Sequence, residues 1–476
     1  MTPVHPERSR GAPFTPSGVR FLALALALTA TSAHAQESDA PLREPELPAA
    51  NYLVPALESA TINLGLLAFS NLVTRMDFAL VTPETLARNL RLSSWTVDVD
   101  YYVTNQFGHA YQGSLYFNAA RSAGMNFWWA AFYTTLSSLS WELFFESEPP
   151  SVNDQITTPI AGSLLGEALH RAAHRLRSNG LGWVGVVSAT LLDPLGALNG
   201  ALLEERDEDI TLDPLFVRWQ FGATAGVVID QSDRLPRDRM PPQALVAVLL
   251  VSGAPWDPRS TYDAPLSYFD LRADLSFPSK VVGNIFIRGL LAGGRFGGEG
   301  SRLQGVWGLF GDYDYAAPAI VRASAVGLGP GVIFQLQPAP KLYLQVGGLL
   351  GASPFAAAGQ LNVSPDLARD YHVGPGLQSI LDLRLLRPGW FQLELSARNW
   401  LVVGAYTPPS GFESITWVTV AATVPIWRWL GAGAEFTLAD RRAQFTGEED
   451  SANDTGLALR LTLSVMSEPH FGVAQN

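Results

Sequence analysis

The chain has 476 residues, no cysteine, a net charge of −12, and lysine only at Lys280 and Lys341. This excludes disulfides, thiol nucleophiles and thiolate metal sites, and the lack of a basic stripe excludes nucleic acid as a partner. The length is that of two units rather than one, and 43 glycines with 11% aromatics fit many strands and turns.

Arg8, Arg10 and Arg20 precede an apolar run, Phe21 to Thr31, and then Ala33-His34-Ala35. These are the parts of a secretory signal peptide over residues 1–35, with Gln36 the first mature residue. Residues 36–54, rich in Pro, Glu and Asp, are expected to be a flexible leader. Pro55 to Arg75 is weakly helical. Thr82-Pro83-Glu84 predicts an N-cap with Pro at the first helical position, opening a short helix to about Leu92. Residues 94–101 alternate as a short extended segment, with Asp98 and Asp100 as solvated carboxylates on one side.

From Asn105 to Arg171 the chain reads as three apolar helices that nevertheless carry His109, Arg121, Glu142, Glu146, Asn153, Asp154 and Glu167. Buried charge is costly unless paired, so these residues need partners. The first helix is predicted over about 106–123, with Gly124 as its C-cap. The second, over about 126–147, is apolar nearly all round and places Glu142 and Glu146 on one face. Pro149-Pro150 stops it, and Ser151-Val152-Asn153-Asp154 is a cap-like turn. The third runs to about Arg177, where Gly162 and Gly166 leave a smooth face for a close helix. A fourth, from Gly182 to about Glu204, is broken at Asp193-Pro194. Together these form a helical domain over residues 55–204, expected in the periplasm. An acidic linker, residues 205–214, follows.

Beyond it the period changes to two. Val217, Trp219 and Phe221 alternate with Arg218 and Gln220; Leu457, Leu459, Leu461 and Leu463 alternate with Ala458, Arg460 and Thr462. Strands of ten or more residues with a charged side, behind a signal peptide, favour a membrane barrel over a soluble sandwich. The fold class is therefore α+β: an N-terminal helical domain followed by an antiparallel transmembrane β-barrel of about 12 strands over residues 215–467, with a tail at 468–476. Arg218, Asp270, Arg272, Asp274, Arg288, Asp382, Arg384, Glu394, Arg398 and Arg460 are expected to face the lumen. In so narrow a barrel they form a mutually neutralising network, with a polar path as the alternative. Phe310 to Tyr315 reads as a strand end with interface tyrosines.

Asn105 to His109, Tyr111, Gly113, Arg121, Trp141, Glu142, Glu146, Ser151, Asn153, Asp154 and the run Gly162, Gly166, Glu167, Arg171 together resemble a bacterial family of uncharacterised proteins, domain of unknown function 3943, over about residues 95–200. The resemblance implies no activity. The spacing of His109, Glu142 and Asp154 is also loosely similar to VanZ-like proteins, which would set these three in the polar core of a bundle near lipid or cell-wall intermediates. Asn105 departs from that pattern, where an acid is usual.

His109, Glu142, Glu146 and Asp154 are the candidate catalytic residues, since a histidine with carboxylates can run acid–base chemistry or bind a divalent metal. No HExxH or tight ligand spacing accompanies them, so no cofactor is predicted; a divalent metal at His109, Glu142 and Glu146 is the alternative. Glu167 with Arg171 reads as an i, i+4 pair, and His170 with His174 as part of a basic helix end. The expected role is structural: envelope organisation, docking or small-molecule passage at the outer membrane. The expected partners are outer-membrane lipid, a periplasmic protein or the cell wall. The alternative is an enzyme acting on lipid or cell-wall precursors through His109 and Glu142.

Overall fold

The computed structural model describes residues 50–98, 100–178, 182–203, 214–230, 236–278, 282–298, 300–318, 322–359, 371–406, 410–446 and 452–466. The predicted signal peptide, most of the leader and linker, and the tail lie outside the described residues.

Twelve antiparallel strands close a barrel: β1 (Leu215–Asp230), β2 (Pro236–Ser252), β3 (Phe269–Phe277), β4 (Val282–Phe296), β5 (Leu303–Ala316), β6 (Arg322–Ala339), β7 (Leu342–Gly359), β8 (Tyr371–Arg387), β9 (Phe391–Gly404), β10 (Gly411–Trp427), β11 (Leu430–Phe445) and β12 (Ala452–Met466). Each pairs with its chain neighbour, and β1 closes on β12 from Arg218↔Met466 to Asp230↔Asp454. The even count puts Leu215 and Met466 at one end, here the near rim; the other end is the far rim. The period-two alternation sets two faces. Arg218 on β1 reaches Glu394 on β9 at 2.7 Å, and Arg398 on β9 reaches Asp314 on β5 at 2.7 Å. Strands so far apart in the sheet can meet only across the lumen, so the charged side is inside. Leu350, Leu381, Leu393, Leu461 and Leu463 are exposed outside. A polar inside and an apolar outside are the arrangement of an outer-membrane barrel.

Seven α-helices precede the barrel among the described residues: α1 (Leu53–Phe69), α2 (Pro83–Asn89), α3 (His109–Ser122), α4 (Phe127–Phe144), α5 (Asp154–Ser178), α6 (Trp183–Leu192) and α7 (Pro194–Leu202). The weak pattern at Pro55 to Arg75 is a full helix, extended to Thr74 by a π-turn. Thr82 caps α2 by accepting from the Thr85 N–H. The expected strand at 94–101 is absent from the described residues there: only Thr96 bridges, to Ser151. Another π-turn, Thr104–Gly108, feeds α3.

The helices stand against the outer wall of the barrel, beside the strands. The expected helical domain thus shares a core with the barrel. α5 lies on β4, β5 and β6. One apolar core joins Ala161, Leu164, Ala168 and Leu176 of α5 to Phe269, Leu271, Ile287, Tyr313 and Tyr315, which face outward from the wall. The Tyr102 hydroxyl donates to the Ala316 carbonyl at the far rim, 3.2 Å, while Arg171 donates to the Pro265 carbonyl in the near-rim loop, 3.2 Å. At about 1.5 Å per residue α5 is roughly 37 Å long, enough to run from rim to rim. Tyr313 and Tyr315 are therefore not lipid-interface tyrosines. Tyr313 donates to the Gln106 carbonyl at 2.6 Å, and Tyr315 stacks on Tyr102.

Candidate functional site

The candidate groups fall into three places: a joint at the far-rim end of the helices, a polar spine between the helices, and the lumen.

At the joint, the Glu142 carboxylate accepts the Ser151 N–H at 2.6 Å. Ser151 Oγ donates to Asn153 Oδ1 at 2.9 Å and accepts the Asp154 N–H at 3.2 Å. Asn153 Nδ2 donates to Asp154 Oδ1 at 2.9 Å, and Asn153 Oδ1 also takes the Asp98 N–H at 2.7 Å. Glu146 accepts the Trp141 indole N–H at 3.1 Å, and Asn89 donates to the carbonyls of Glu142 and Glu146. His109 Nε2 lies 3.6 Å from Asp154 Oδ2. So His109, Glu142, Glu146 and Asp154 do converge. Glu142 and Asp154 Oδ1 bond within the α4–α5 turn, as a cap does, while Asp154 Oδ2 faces His109. Asp98 and Asp100 are half-buried beside this joint rather than solvated. Burial and the Asp98 carboxylate push Asp100 upward; burial, then Asp98 and Asp100, push Glu148 upward. Among the described residues, no three His, Asp or Glu side chains are arranged to hold a metal ion.

In the spine, α3 and α5 touch backbone to backbone. A Cβ on Gly113 would lie 2.0 Å from the Thr158 carbonyl oxygen, and one on Gly162 would lie 2.5 Å from Gly113 Cα. Gly166 makes room for Phe117 in the same way. Fully buried Glu167 accepts from Arg121 Nε at 2.7 Å and from Arg171 Nε at 2.8 Å. The expected pair is thus a triad, and its third member sits on another helix. His170 is buried and paired with Asp193, which also caps α7 through the Gly196 N–H at 2.7 Å. That overturns its place in a basic helix end. Asn105 donates to the Tyr371 hydroxyl of the barrel at 2.8 Å, and Tyr111 stacks on Phe107 and is exposed.

In the lumen, Arg218, Asp270, Arg272, Asp274, Arg288, Glu394, Arg398 and Arg460 all line one cavity of about 140 Å³. Asp270 accepts two bonds from Arg288, at 2.9 and 3.1 Å. Asp382 takes Arg272 at 3.0 Å and Arg288 at 3.0 Å; Glu394 takes Arg218 at 2.7 Å and Arg384 at 2.9 Å; Asp274 takes Arg460 at 2.8 Å. Sequence reading missed Asp312, Asp314, Glu413, Glu435 and Arg441. Asp312 and Asp314 fall in the run predicted as a strand end, and their alternation with Tyr313 and Tyr315 is the signal of an inward position. An apolar layer of Phe216, Leu249, Val251, Trp256 and Met466 lies on the near-rim side. Trp400, Ile415 and Trp417 fill the far side, under a polar layer of His372, Glu413, Arg441 and Asp454.

No curated protein matches the chain. Among solved structures it is similar to the NanC porin in a rhombohedral crystal form, at 6% identity and TM-score 0.25, over 51% of this chain and 98% of that one. It is also similar to OpdO of Pseudomonas aeruginosa, at 11% identity and TM-score 0.19, over 54% and 98%. The translocator domain of the autotransporter NalP from Neisseria meningitidis gives 14% identity and TM-score 0.25, over 60% and 97%. The family model described as "Domain of unknown function (DUF3943)" matches residues 94–195, the stretch that holds the joint and the spine. Residues 94–195 thus match the DUF3943 model, and a closed twelve-stranded barrel of the outer-membrane type follows them.

Proposed function

We propose that this chain is an outer-membrane protein whose barrel is a filled scaffold, built to hold the helical domain at a fixed place in the envelope rather than to pass solutes. One observation carries this reading: the charges that line the lumen cavity are cross-linked to one another across it, between an apolar layer at the near rim and a second apolar layer on the far side. A conducting barrel needs a continuous watery path. Here the charges are spent on one another, and a carboxylate shared by two arginines, as Asp382 and Glu394 are, resists rearrangement. The signal-peptide pattern read in residues 1–35 and the apolar outer wall support the compartment.

The test is conductance in planar bilayers. The full chain is expected to insert without stable current steps. Regular steps that change in size in Glu394→Gln would overturn the scaffold reading in favour of passage. The convergence of His109, Asp154 and Glu142 keeps one competing reading, an enzyme that modifies envelope lipid. Mass spectra of lipid A and phospholipids from cells making the protein, none, or the Glu142→Gln variant separate the two. A mass change that requires both the protein and Glu142 would establish the enzyme.

A further inference from the structure

We infer that the helical domain lies in the bilayer itself, leaning on the barrel, with its outward face covered by lipid acyl chains. The inference rests on the outer-membrane reading of the barrel and adds to it where the helices sit.

The helical domain is built the wrong way round for water. Its buried polar residues include Asn63, Arg121, Glu142, Asp154, Glu167, His170, Asp193 and Asn199, while large apolar side chains are on its surface. Every exposed residue of α4 is of that kind: Trp128, Trp129, Phe132, Leu136 and Phe144. The exposed positions of α1, α6 and α7 carry no charge. Exposed leucines scattered singly are ordinary, but a continuous apolar face marks an interaction surface. The charged groups are turned inward and paired, as Arg121, Glu167 and Arg171 are.

Three further observations select lipid over another protein surface. The face continues the apolar belt of the barrel, since the helices share a core with the outer wall and the uncovered wall exposes Leu350, Leu381 and Leu461. Its depth fits: Leu53–Thr74 is long and apolar enough to cross a membrane, and α5 runs between the rims. Its hydroxyls need no water. Thr61, Thr134, Thr135, Ser137 and Thr190 each donate to the carbonyl four residues back in their own helix, which is how a helix in hydrocarbon satisfies a polar side chain.

A chain without cysteine allows a clean test. Single substitutions Leu64→Cys in α1, Leu136→Cys in α4 and Val187→Cys in α6 are spin-labelled in the full chain, then reconstituted in phosphatidylcholine vesicles. Leu461→Cys reports the barrel belt, and Arg302→Cys reports a near-rim turn in water. Collision with oxygen, which partitions into lipid, is compared with collision with a water-soluble nickel chelate present on both sides. The three helical sites are expected to follow Leu461→Cys, with high oxygen and lost chelate accessibility. If they follow Arg302→Cys while Leu461→Cys stays lipid-exposed, the helices stand in water and this inference alone fails. Low collision with both probes means that a second copy covers the face, which also overturns it. Chelate access at Leu461→Cys would instead sink the membrane reading of the barrel.

Discussion

The barrel and the helical domain solve one problem by two routes. Both keep charge inside and apolar side chains outside. In the barrel this follows from a period of two: strands such as β1, β3, β4 and β9 send Arg, Asp or Glu inward at alternate positions, and partners come from strands across the lumen, as in Arg272 with Asp382. In the helices no such regularity exists. Arg121 and Glu167 lie 46 residues apart and meet only because Gly113 and Gly162 let α3 and α5 touch. The barrel interior is therefore redundant where Asp270 and Asp382 share Arg272 and Arg288, whereas in the helical spine Arg121 and Arg171 converge on the carboxylate of Glu167.

The first way to break this comparison is to remove a hub from each side. Glu167→Gln leaves Arg121 and Arg171 buried without their carboxylate. Breaking a buried pair by removing one partner costs about 3–5 kcal/mol. Loss of helical ellipticity at a lower temperature, with the heat-modified gel shift of the barrel unchanged, is the expected result. Gly162→Leu comes next. Its side chain would meet the Gly113 backbone, which cannot rotate away, so the strain is expected near the top of the overpacking range, about 3 kcal/mol. The same measurements apply, and an unchanged helical melt would show that α3 and α5 do not pack this closely.

The strands were legible in the sequence because alternation with a period of two, as at Val217, Trp219 and Phe221 or at Leu457 to Leu463, is a local signal. The expected antiparallel barrel of about 12 strands is the closed twelve-stranded barrel of the structure. The placement of the helices was not legible. Outward residues covered by α5, such as Leu271, Ile287 and Tyr313, are as apolar as outward residues left bare, such as Leu381 and Leu461. Lipid and a helix demand the same chemistry of a strand, so the pattern does not say which one is there. At the candidate site, the cap Ser151-Val152-Asn153-Asp154 could be read locally. The Arg121–Glu167 and His170–Asp193 pairs could not, since each joins separate helices.

On the barrel side, Asp382→Asn is expected to cost less than Glu167→Gln. Its two arginines, Arg272 and Arg288, both keep Asp270 as a second carboxylate. The loss is then closer to that of a charged hydrogen bond, about 1.5–3 kcal/mol. A shift of the barrel's heat-modified gel transition as large as the helical loss in Glu167→Gln would show that the lumen network is not redundant.

The smallest effect sharpens the comparison most. Leu136 on α4 and Leu461 on β12 are both exposed, at 45% and 58%. Truncating a buried leucine leaves a cavity, because neighbouring protein atoms cannot follow the retreating side chain. Neither of these two has protein over its tip, so solvent or lipid simply moves in. Leu136→Ala and Leu461→Ala should each change stability by no more than about 0.5 kcal/mol, read from helical ellipticity for the first and the gel shift for the second. A cost of about 2 kcal/mol at Leu136 alone would mean that protein packs on the helical face. The two outer surfaces would then differ in what covers them, and the likeness between barrel and helices would hold only for their interiors.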